Sequence, residues 1–138
     1  MKKIALMLDE NSKNKLLLSF RNLIPEGWIQ QGDLMIIKQD DNLNVNGIDF
    51  SHILNKRYEI LSMGFGLNKL ACCARIVPPT ELLHLRLNSK QEGEPYFPYV
   101  VLALNRSLDG KLSDAESIDK FTGADSLVLA GTVEVVDG

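Results

Sequence analysis

The stretch Glu94-Pro-Tyr-Phe-Pro-Tyr-Val-Val-Leu-Ala-Leu104 constrains this chain most. A short apolar run follows Pro98 directly and ends at a polar residue, which reads as a β-strand over Tyr99 to Asn105. Similar runs predict strands over Lys2 to Leu8, Asp33 to Lys38, Tyr58 to Phe65 and Leu70 to Val77. Ser126 to Val136 reads as a final strand, with a bulge expected at Gly131. Between the Tyr58 and Leu70 strands, Gly66-Leu-Asn-Lys69 is hairpin-like, with Gly66 expected to supply a positive φ at low steric cost.

Helical spacing appears between these runs. Leu16, Phe20 and Leu23 recur at helical intervals, and Leu17 and Ile24 widen the stripe, so Glu10 to Leu23 is predicted helical. Asp9 or Asn11 suits its cap, and Pro25-Glu-Gly27 stops it. Thr80 suits the cap of a helix to about Leu87, after Pro78-Pro79 breaks the chain. Ser113 to Phe121 reads as a short helix, and Phe50 to Leu54 as a helical turn or short helix. Gln39 to Asn46, Ser89 to Pro95 and Ser107 to Gly110 read as loops or turns. No linker or low-complexity segment interrupts the pattern. The expectation is one α+β domain over residues 1–138.

Composition excludes some classes. Hydrophobic residues make up 45% and charged residues 24%, as in an ordinary globular chain. The net charge of −3 points to no extended nucleic-acid footprint and no membrane-binding surface. The first apolar run, Ile4 to Leu8, is too short for a signal-peptide core. No run approaches the ~20 residues of a membrane helix. Cys72 and Cys73 are adjacent, so on a strand they point to opposite faces and make a poor disulfide or metal pair. Buried free thiols and a cytoplasmic protein are expected. No metal or other cofactor is predicted.

Three segments carry a resemblance. They are Gly32-Asp-Leu-Met-Ile-Ile37, Glu94 to Leu104, and Phe121-Thr-Gly-Ala-Asp-Ser-Leu-Val-Leu-Ala-Gly-Thr-Val-Glu-Val-Val136. With the order of elements, they resemble the two-histidine (2H) phosphoesterases. The likeness is strongest to a phage branch that includes anti-CBASS phosphodiesterases, which cut cyclic oligonucleotide signals. The first two segments resemble the family's motif strands. The third resembles its closing Thr-Gly turn and strand. The second motif strand in that family reads Tyr-x-x-Pro-His-x-Thr-Leu, and Pro98 and Leu102 stand where this pattern wants them. The resemblance implies a 2H-phosphoesterase-like (LigT-like) fold, with antiparallel sheets flanking a central groove, and a phage origin.

Such a site places two His-x-Thr/Ser tripeptides on neighbouring strands, so that i and i+2 share one groove. One His works as base, the other as acid, and the hydroxyls hold phosphate oxygens. The matching tripeptides here are Asp33-Leu34-Met35 and Tyr99-Val100-Val101. Tyr99 ionises near pH ~10 and is a poor proton shuttle near neutrality. Met35 and Val101 donate no hydrogen bond to phosphate. His52 and His84 begin no such motif and read as surface or boundary residues. No catalytic residue is therefore assigned, and the enzyme reading is disfavoured.

The resemblance implies ligand-binding positions at Asp33, Met35, Tyr99 and Val101, with Lys38 and Arg106 near the rim. Arg75 and Arg86 are further candidates to face phosphate, although a solvated face is the ordinary reading. Trp28, Tyr96, Phe97 and Tyr99 have faces for base stacking, with core packing or loop anchoring as the ordinary reading. Gly64-Phe-Gly66 reads as a hairpin feature rather than a phosphate cradle. The expected function is a catalytically degenerate protein that binds a nucleotide, cyclic oligonucleotide or RNA end without cutting it, in the host cytoplasm if phage-encoded. The alternative is a structural or protein-interaction subunit, such as a virion or assembly component. An active phosphodiesterase with a rearranged site is the third and least favoured reading.

Overall fold

The computed structural model describes residues 2–40, 52–77, 79, 98–118 and 120–137. The predicted helix from Thr80, the loop from Ser89, most of the polar stretch from Gln39, and His84, Arg86, Tyr96 and Phe97 lie outside them.

The apolar runs form strands and the strands form a closed ring. These are β1 (Lys2–Leu8), β2 (Ile29–Gln30), β3 (Leu34–Asp40), β4 (Arg57–Leu67), β5 (Ala71–Val77), β6 (Tyr99–Leu104) and β7 (Thr122–Asp137). Neighbours run β6-β3-β1-β7-β4-β5, and β5 pairs again with β6. Every pairing is antiparallel. The two-residue β2 continues the β3 edge along β6, with Ile29 opposite Leu104.

Closure overturns the expected α+β, 2H-phosphoesterase-like (LigT-like) fold. The architecture is a six-stranded antiparallel barrel with one α-helix, α1 (Glu10–Phe20), among the described residues. β6 is held on both sides, by β3 and by β5. A sheet closed on itself has no free edge there, and no groove opens between two sheets. The description as a pseudoenzyme of that fold falls with it.

Strand alternation then sends one face of each strand inward. Ile4 and Leu6 of β1, Met35 of β3, Ile60 of β4, Cys72, Ala74 and Ile76 of β5, Val100 and Leu102 of β6, and Leu129 and Val133 of β7 form one buried cluster. Helix α1 follows β1 and adds Leu16 and Phe20 to it. The Phe20 ring stacks on Phe65 with centroids 5.8 Å apart. Where β1 ends, α1 takes over the edge of β7. Asp9 N–H donates to Ala130 O, and Ala130 N–H donates to Ser12 Oγ at 2.9 Å. Asp9 sits at the helix cap position, but its side chain makes no cap bond. Its carboxylate instead accepts from Arg57 Nη2 at 2.7 Å. The helix ends at Phe20, earlier than predicted, so Leu23 leaves the stripe and is 50% exposed.

The β4–β5 hairpin forms as expected, but Asn68 makes its turn. Asn68 Oδ1 accepts the backbone N–H groups of Leu70 and Ala71, both at 2.8 Å. Gly66 lies within β4 and has no positive φ. It is needed because a Cβ there would stand 2.5 Å from Ile118 Cγ2. The expected bulge at Gly131 is also misplaced. Register with β1 and β4 runs unbroken through Gly131, and the irregularity lies between Ser62 and Gly64.

Candidate functional site

A second, smaller apolar cluster covers the outside of the barrel at β5 and β6. It joins Ala71 and Cys73 of β5 to Tyr99, Val101 and Leu104 of β6. Lying over them is the link from β6 to β7, which carries Ala115 and Ile118, with Leu112 and Phe121 partly buried at its margins. This strap was predicted as a helix over Ser113 to Phe121. It forms a 3-10 segment over Leu112–Ser117 instead. Asn68 Nδ2 ties it down by donating to Asp114 O at 2.8 Å and Ser117 Oγ at 3.1 Å. Strap and barrel also meet at Gly66, where Ile118 and Phe121 pack against the bare backbone. Arg75 lies over the Phe121 ring, 5.9 Å from its centre. The glycines of Gly64-Phe-Gly66 thus serve packing on a strand, not a phosphate turn.

The expected ligand-binding residues do not share one environment. Asp33, Tyr99 and Val101 do come together. With Leu34 and Leu112 they line one cavity. Gly32, at φ +77°, creates the approach. Its N–H donates to Val101 O at 2.8 Å, and Gln31 N–H donates to Leu102 O at 2.7 Å. This bent connection between β2 and β3 brings Asp33 and Leu34 to the same lining. Leu8 N–H donates to Asp33 O at 2.9 Å and fixes the far side.

Met35 does not join them. Asp33 precedes the regular strand, so the i, i+2 rule that would align it with Met35 does not apply across the bend. Met35 turns into the barrel and is 2% exposed. Arg106 is exposed on a 3-10 turn over Arg106–Leu108. Lys38 lies on β3, opposite Ile4 of β1. The structure does not gather Met35 and Arg106 around the Asp33 cavity.

Size decides what the cavity accepts. Its volume is about 10 Å³, the room of one water molecule. Small-molecule sites enclose roughly 300–1,000 Å³. A nucleotide therefore has no place in it as folded. Leu112 and Leu34 were not anticipated as lining residues. The bent connection and the irregular strap that deliver them carry no periodicity.

Chemistry elsewhere is equally quiet. Burial pushes the Cys72 thiol up to about 11, against a weaker lowering by its contact with Ala103 O. Burial pushes Cys73 up to about 12, and the neighbouring Cys72 adds to this. Both are free cysteines, buried on opposite faces of β5. Raised thiol pKa values mean little thiolate near neutrality and poor nucleophiles. Among the described residues, no group of three or more His, Cys, Asp or Glu side chains is placed to hold a metal ion. His52 is exposed in a turn.

The outer wall offers a different surface. Leu61 of β4 stands between Val128 of β7 and Val77 of β5 in register. Val128 is 52% exposed and Val77 44% exposed. With Glu59, Ile60 and Pro79 they line an open, shallow depression of about 400 Å³. No helix among the described residues is long and apolar enough to cross a membrane. Comparison with known proteins finds no family model, no curated protein and no solved structure that matches the chain.

Proposed function

We propose that this chain is a non-catalytic β-barrel that acts as a protein-interaction or assembly subunit, through its outer surface rather than through a ligand groove. The observation that carries this reading is the filling of the groove positions. Met35 belongs to the barrel interior, and Tyr99 and Val101 lie beneath the strap. What remains beside Asp33 has room for about one water. Exposed Val77 and Val128, in register on either side of Leu61, support the same reading, because contiguous exposed apolar surface marks protein contacts.

A paired experiment tests it. Thermal unfolding is followed with mononucleotides, linear and cyclic di- and trinucleotides and short RNA. No stabilisation is expected. A shift that disappears in Asp33→Ala overturns the reading, since only a molecule bound to the folded state raises its stability. Sedimentation velocity across a concentration series then compares the wild type with Val77→Lys/Val128→Lys. Association lost in the double variant is the expected result. A chain that stays monomeric throughout and is stabilised by a nucleotide sinks the proposal.

A further inference from the structure

We draw no further inference here: the strongest candidate, the apolar row of Val77, Leu61 and Val128 on the outer wall of the barrel, already belongs to the surface taken for the proposed function, and nothing in the structure shows what covers it.

Discussion

Met35 stands directly opposite Val100 across the β3–β6 pair, and both side chains are buried in the barrel interior. Directly opposed residues of an antiparallel pair share a face. This single pairing therefore sets the neighbours. With Val100 inward, Tyr99 and Val101 must face outward, where the strap covers them. Residues that a groove would have gathered on one floor are split between the inside and the outside of a wall.

Met35→Thr tests this split. The substitution removes volume from a packed interior and adds a hydroxyl where its neighbours are apolar. The expected loss is about 2–4 kcal/mol, from the cavity and the unpaired hydroxyl together. Urea unfolding of the variant measures it. A change within 0.5 kcal/mol or so, the usual range for surface positions, would place Met35 at a solvated surface and remove the barrel assignment for β3.

Six of the seven strands were legible because they carry apolar runs with clear punctuation, whereas the two-residue β2 was not expected. Pro98 before β6 and Asn68 between β4 and β5 are examples. Closure was not legible. It depends on β6 pairing with both β3 and β5, contacts that link residues far apart in the sequence. Periodicity reports which face of a strand is buried, but not which strand lies beside it. The β4 segment Ile60-Leu61-Ser62-Met63 shows a second limit. Apolar residues occupy both phases of the alternation there, so the outward position of Leu61 becomes clear only from its register with Val77 and Val128. Asp33 and Tyr99 line one cavity, yet the strap that closes it has no repeating pattern. A 3-10 segment of six residues is fixed by local hydrogen bonds such as Lys111 N–H to Asp114 Oδ2, at 2.6 Å.

The thiols give a pH dependence with a defined sign. Below the ordinary cysteine value of 9.0, Cys72 and Cys73 are protonated in both the folded and unfolded chain. Above it the unfolded chain releases these protons, whereas the folded chain holds them until about 11 and about 12. Rising pH thus favours unfolding, and their contribution to stability is lost progressively from pH 9 towards 12. Replacing both cysteines with Ala should flatten the decline in urea midpoint over this interval. In the native wild type, Ellman's reagent should find neither thiol until denaturant is added. Immediate labelling of the folded chain would contradict the burial of β5.

Ser62 is fully buried, and its Oγ has no hydrogen-bond partner among the described residues. It lies opposite Ile76 and Leu127, two apolar neighbours. A buried hydroxyl without a partner has lost its water bonds and gained nothing in return. Ser62→Ala removes that cost and leaves almost no void. An increase in stability of about 0.5–1.5 kcal/mol is expected in urea unfolding. A loss of similar size would show that the hydroxyl has a partner in solution, such as a bound water.

Gly131 and Gly123 share β7 but face opposite demands. A Cβ on Gly131 would lie 2.8 Å from the carbonyl carbon of Met7 and 3.1 Å from Leu6 Cγ, and closer still to Met7 O. The obstruction is backbone of the paired strand β1, so no rotamer change relieves it. A Cβ on Gly123 would meet nothing within 4 Å. Gly131→Ala should therefore cost more than about 4 kcal/mol, the range reserved for a specific steric or buried defect. Gly123→Ala should fall within about 0.5 kcal/mol of the wild type, as an open surface position does. Thermal melts of the two variants side by side measure the contrast. Equal stabilities would mean that β1 and β7 do not approach as closely as the barrel requires, and the ring would be open at that seam.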